Sequence, residues 1–178
     1  MDTFVAGRLL VASPILLDPN FARTVVLILQ HDEEGALGVV LNRPTAEPVE
    51  FHLPEWAPRL EEPPVVFLGG PVEPAVAIGV VRSQRSLEPT ALVGVGMVDL
   101  GADPASTPAG PVRVFSGYSG WGAEQLEAEL AEEAWIVVNA LPVDVFTDRP
   151  DALWSDVLRR QGGELAMLAG YPADPSLN

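Results

Sequence analysis

The sequence predicts a single domain in which strands outnumber helices. Three observations carry this. The chain has 178 residues, the size of one domain and enough to bury a sizeable core. Apolar runs of strand length recur from residue 7 to residue 146, and most are continuous rather than alternating, as in strands covered on both faces. Helical spacing of any length is confined to the stretch after residue 121.

The strand runs, in order, are Gly7–Ala12, Thr24–Gln30, Ala36–Asn42, Val65–Leu68, Ala75–Val81, Leu92–Asp99, Val112–Phe115, Trp135–Ala140 and Val143–Phe146. "HDEEG", His31 to Gly35, is a polar loop with a closing glycine between two strong strands, the pattern of a hairpin. The segment from Thr45 to Pro64 carries five prolines and has room for a short helix near Glu55–Arg59. "GADPASTPAG", 101–110, reads as a loop. One helix is expected from Gly122 to Glu132. A second is expected from Asp148 to Gln161, with Asp148 as N-cap, Pro150 in the first turn and a stripe of Leu153, Trp154, Val157 and Leu158. Gly162 and Gly163 end it, and a short helix follows over Glu164–Ala169.

Composition removes many function classes. The chain has no cysteine, so disulfides, thiol nucleophiles, iron–sulfur clusters and cysteine zinc sites are excluded. All 10 basic residues are arginines, which excludes a Walker A lysine and a pyridoxal Schiff base. Two histidines, His31 and His52, cannot build a three-histidine metal site, and both are expected at the surface. The net charge of −15 repels a phosphate backbone and disfavours direct nucleic-acid or anionic-membrane binding. No apolar run reaches the roughly 18–20 residues of a membrane span. The apolar run at Leu9–Ala12 is broken by Pro14 and followed by "DPNF", so it reads as a strand rather than an export signal, and the protein as cytoplasmic.

"GRLLVASPILLDPNFARTVVLILQHDEEGALGVVLNRP" resembles the opening of the AlgH/YqgE family of bacterial proteins. "VVFLGGPV", "VRVFSGYSGWGAEQLEAEL", "AWIVVNA" and "LW…VLRRQGG" resemble its later blocks, in order, with weaker stretches at 45–64 and 82–110. The resemblance implies an α+β fold, a branched mixed or antiparallel β-sheet forming a pseudo-barrel with a few flanking helices. It carries no established catalytic residue to this chain. One branch of the family is named as a transcriptional regulator of alginate synthesis, a role that the charge of this chain opposes.

The loop Gly117-x-x-Gly120-x-Gly122 leads from a strand into a helix. Its spacing is not that of the dinucleotide fingerprint, and Glu124, Glu127 and Glu129 oppose a phosphate at the helix start. Gly117-Tyr118-Ser119-Gly120-Trp121 places tryptophan where a nucleophile elbow requires glycine. We read the loop as an architectural turn, with Ser119 or Gly120 capping the helix and Trp121 in the core. "LGGP", with Gly69 and Gly70, is expected to play a paired role with it. Glu127 falls about 40° from Ala123, at the edge of the apolar stripe, and needs a partner, a backbone N–H or an arginine; in the functional alternative it is a general acid or base with a raised pKa. Asn42 and Arg43 close a strong strand, where ligands often sit. Asp144, Asp148 and Asp151 are better explained singly than as a magnesium site, with Asp144 facing outward from an edge strand.

The expected function is therefore that of a non-enzymatic protein acting through a partner protein or small ligand. The candidate ligand-binding residues are Asn42, Arg43, Gly69, Gly70, Gly117, Ser119, Trp121 and Glu127. No catalytic residue, cofactor or metal is expected. The alternatives are a carboxylate and arginine enzyme using Glu127 with Arg43 or Arg113 near the glycine loops, and a transcriptional regulator.

Overall fold

The structure is a computed structural model and describes residues 4–85 and 88–173. The elements are β1 (Arg8–Ala12), β2 (Val25–Asp32), β3 (Gly35–Val40), β4 (Pro44–Pro48), β5 (Val65–Leu68), β6 (Val72–Arg82), β7 (Glu88–Pro89), β8 (Val95–Val98), β9 (Val112–Gly122), α1 (Gln125–Ala131), β10 (Trp135–Asn139), α2 (Pro142–Val145), α3 (Leu153–Gln161) and α4 (Gly163–Leu168). Short 3₁₀ turns lie at Val49–Phe51, Pro54–Arg59, Pro104–Ser106 and Pro150–Ala152.

The sheet is mixed, branched and open. Its main path runs β10-β1-β2-β3-β9-β6-β8-β7, and β5 branches from β9 with β4 on its far side. The β5–β9 pair is parallel, and the other named strand pairs are antiparallel. In β1 and β2, Leu9, Val11, Val25 and Leu27 face α3, while Leu10, Ala12, Val26 and Ile28 face α1. This double cover is why those strands read as unbroken apolar runs. The α3 stripe of Leu153, Trp154, Val157 and Leu158 is buried, as its spacing predicts. A third cluster, Val49, Trp56, Val81, Val112 and Val114, packs under the proline-rich segment.

Several elements differ from the sequence reading. β9 does not stop at Phe115 for a turn; it continues to Gly122. Its second half pairs with β3 from Gly38↔Ser119 to Gly35↔Gly122. Glycine serves close strand approach there: a Cβ on Gly35 would lie 2.1 Å from the Trp121 carbonyl oxygen. α1 starts at Gln125, and neither Ser119 nor Gly120 caps it; Glu124 holds the N-cap position at φ 62° without a side-chain cap bond. The expected strand Val143–Phe146 is helix α2. Pro142 opens it with its φ already helical, and the Asp144 carboxylate accepts the Leu141 N–H at 2.8 Å. Asp144 is buried rather than outward, held by Arg160 at 2.7 and 2.9 Å. That contact raises the Arg160 pKa, against a smaller opposing effect of burial. Asp148 does not cap a helix: the chain enters α3 through the 3₁₀ turn, with Arg149 preceding it.

Candidate functional site

Four of the eight candidate residues meet where the sheet branches. The Gly69 N–H donates to the Ser116 carbonyl at 2.9 Å. The Gly69 carbonyl accepts from Val40 N–H at 2.9 Å and from the Ser119 hydroxyl at 3.1 Å. A Cβ on Gly69 would lie 2.4 Å from the Gly117 oxygen, and one on Gly70 2.2 Å from Tyr118. Gly117 itself adopts φ +70°, a conformation that favours glycine. This is a backbone crossing with no room for a ligand. Ser119 is fully buried with its hydroxyl engaged, so it is not an exposed nucleophile. The small cavity between Arg43 and Gly70 holds about 30 Å³, room for a water or two.

Asn42 and Arg43 pin the loop before β2. Asn42 accepts from Val25 N–H and donates to the Arg23 carbonyl, both at 2.9 Å. Arg43 donates to the carbonyls of Asn20 at 2.7 Å and Ala22 at 3.2 Å. Burial lowers the pKa of Arg43, and Asp18 opposes the shift. Arg113 is more enclosed still. Its guanidinium lies 4.4 Å from the Phe67 ring centre and donates to the carbonyls of Glu62, Val145 and Thr147. Burial pushes it down to about 10, with Glu61 and Asp148 pulling it back up, so it is a cation at neutral pH. It staples the proline-rich segment to the loop after α2.

Glu127 faces inward, but its partner is a histidine rather than an arginine. Glu127 Oε1 lies 2.8 Å from His31 Nε2. The other ring nitrogen, Nδ1, accepts the Val5 N–H at 3.0 Å, so neutral His31 carries its proton on Nε2 and donates it to Glu127. His31 is buried, contrary to its expected exposure, while the His52 side chain is 61% exposed as expected. The expectation fails because β2 has a bulge between Ile28 and Gln30. The extra residue reverses the alternation, so His31 points to the α1 side. Both nitrogens of His31 are occupied, and the pair serves as a clamp from the N-terminal segment to α1.

Trp121 lies in the same region, in contact with Trp135 and Phe21 at ring-centre distances of 6.1 Å each. Glu129 sits beside this cluster. Burial raises the pKa of its carboxyl, and the indoles of Trp135 and Trp121 act in the opposite direction. Glu129 Oε2 and Trp135 Nε1 are nonetheless buried without completing a hydrogen bond.

The structure also has a feature that the sequence did not reveal: an apolar trough of about 470 Å³. Val114 and Ser116 of β9 line its centre. Thr45, Glu47, Val66 and Leu68 of β4 and β5 form one side, and Pro74 to Ala77 of β6 form the other. Leu68 and Val76 are exposed at 38% and 42%. A surface hydrogen bond between His52 Nε2 and Glu47 Oε1, 2.8 Å apart, stands at its edge. None of the eight candidate residues lines it. Its one legible sign is the apolar, proline-bearing stretch "PVEPAVAIGV", which gives no hint of what packs beside it. Among the described residues there is no group of three side chains suited to hold a metal.

Comparison with known proteins fixes the ancestry. The family described as DUF179, AlgH-like, matches residues 9–166. A UPF0301 protein of Streptomyces coelicolor is 53% identical over 98% of this chain and 95% of its own length. One from Thermobifida fusca is 45% identical over 98% and 96%. The crystal structure of a Corynebacterium diphtheriae protein superposes with a TM-score of 0.87 at 33% identity, covering 94% of this chain and 92% of that one. The solution structure of the AlgH protein from Pseudomonas aeruginosa gives 0.71 at 33% identity, over 97% and 96%. The chain belongs to the AlgH-like family.

Proposed function

We propose that this protein acts by binding, without catalysis, and that the trough between β4–β5 and the start of β6 is its binding site. The observation that carries this reading is the open apolar trough, with Leu68 and Val76 left exposed beside it. Its polar groups are few, and the Thr45 and Ser116 hydroxyls already donate to the Val66 and Pro74 carbonyls, which leaves the trough suited to an apolar occupant. The enzyme alternative is disfavoured because Glu127, Arg43 and Arg113 are engaged with three separate sets of partners. A nucleic-acid role is disfavoured by the charge of −15. We place the protein in the cytoplasm. The N-terminal apolar run supports this, since Leu9 to Ala12 are fully buried in β1 and belong to the fold.

Ala77 shares a sheet face with Gly79 and Val81, so a larger side chain there enters the trough. Nile red is expected to bind the wild-type protein with enhanced, blue-shifted fluorescence. Ala77→Trp is expected to abolish that signal at an unchanged melting temperature. Equal dye binding by the two proteins overturns the assignment.

A further inference from the structure

We propose that His31 is an acid-operated latch: protonation of its ring releases the N-terminal segment Phe4–Ala6 from the sheet while the bond to α1 stays closed. The inference stands apart from the trough and from its occupant.

The polarity of two hydrogen bonds carries the argument. The His31 side chain is fully buried, and its neutral ring bonds in two directions with opposite roles. Nε2 donates to Glu127 Oε1 at 2.8 Å, and Nδ1 accepts the Val5 N–H at 3.0 Å. An imidazolium carries a proton on both nitrogens and accepts on neither. The bond to Glu127 survives protonation and gains opposite charges. The bond to Val5 does not, because two donors would then face each other. One proton therefore tightens one arm of the contact and breaks the other. Glu127 favours the charged ring: its Oε2 is buried without a hydrogen-bond partner, and His31 is the one cation-forming side chain bonded to it among the described residues.

The segment is placed to move as a unit. Phe4 is half-exposed, with its ring set edge-on to His31 at 5.0 Å. Gly7 holds φ +81°, a hinge conformation that favours glycine. Its N–H donates to the Ile28 carbonyl at 2.7 Å, which anchors the chain on the β1 side of the hinge. Val5 is buried in the cluster that contains Leu10, Ile28 and Leu126, so release uncovers apolar surface there.

The other charged groups around His31 are few. The described N-terminal residues before Arg8 and all of β3, where Ala36 lies opposite His31, carry no titratable side chain. On β2 the next residue, Asp32, is exposed and accepts the Glu34 N–H at 2.8 Å. On α1 Glu127 is the group bonded to the ring, whereas Glu129 sits with Trp121 and Trp135. Burial raises the Glu129 carboxyl, so it too titrates as acid is added, and the test must separate it from His31.

The test is an NMR titration of the isotope-labelled full chain from about pH 8 to about pH 5, which spans the range in which histidines change charge and stays above the isoelectric point near 4.3. The His31 ring signals report its protonation, and the Val5 backbone order parameter reports the latch. That parameter should fall from about 0.85 to below about 0.6 as the ring titrates. Glutamine can both donate to Glu127 and accept from Val5 without titrating, so Val5 should stay ordered throughout in His31→Gln. Glu127→Gln keeps an acceptor for Nε2 but removes the negative charge, and should move the transition at least about half a unit toward acid. Val5 staying ordered after the ring has titrated, or a ring still neutral at about pH 5, overturns the proposal. So does the same acid transition in His31→Gln, which assigns the effect to Glu129 or another carboxylate. If His31→Gln does not fold, the wild-type titration and Glu127→Gln decide: an unmoved or raised midpoint in Glu127→Gln overturns the latch. Loss of signal dispersion across the whole chain together with Val5 identifies global unfolding and overturns it as well.

Discussion

β1 and the first half of β6 are both strands of apolar and small residues, yet they live in opposite surroundings. Leu9, Leu10, Val11 and Ala12 have 0% exposure, with β2 and β10 paired on the two edges and a packed cluster on each face. Val76 is 42% exposed, on an arm without a register partner. The difference separates two tasks. The β1–β2–β3 half holds the fold together by burial, and the β6 arm leaves backbone and apolar surface available.

Substitutions can break this contrast. Leu27→Ala, in the doubly covered half, is expected to cost about 2–5 kcal/mol in urea unfolding, whereas Val76→Ala should stay within about 0.5 kcal/mol. Comparable losses at the two positions would show that the arm is part of the core. Glu127→Ala leaves the His31 Nε2–H without its acceptor inside the protein and is expected to cost about 1–3 kcal/mol. Glu124→Ala, which removes an exposed carboxylate lacking a side-chain cap bond, should lie within about 0.5 kcal/mol of wild type. Equal melting temperatures for the two would refute the clamp. The smallest effect concerns Glu129. Its folded pKa is raised, mainly by burial, so the folded state holds the proton more tightly than the unfolded chain. Stability is then lost as pH rises from the ordinary glutamate range through the raised value. Glu129→Gln should melt slightly above wild type at neutral pH, with the gap closing in acid. A gap that widens in acid would reverse the assignment.

The sequence showed the parts of the fold that depend on local pattern. The runs of β1, β2, β3 and β10 and the stripe of α3 sit close to where periodicity puts them, because each pattern is set by the element's own buried faces. The inward face of Glu127 was legible for the same reason. Three features were not. The length of β9 was hidden because glycines that signal a turn also permit close strand crossing. The burial of His31 depends on a bulge that moves one residue across the sheet, and nothing in "LILQHD" announces it. The trough draws on β4, β5, β6 and β9, so its apolar residues adjoin only after folding. The eight candidates were drawn from local motifs, and local motifs here mark crossings and pins.

The pairing of β1 with β10 has a consequence for synthesis. Arg8 lies opposite Asn139, a separation of 139 − 8 = 131 residues. At the roughly 5–20 residues per second of translation, the edge of β1 that β10 will cover waits on the order of ten seconds for its partner to emerge. During that interval an apolar strand, paired on its other side with β2, is a template for any neighbouring nascent chain. The same long-range closure that leaves β1 fully enclosed in the finished protein makes its birth the most exposed moment of its life.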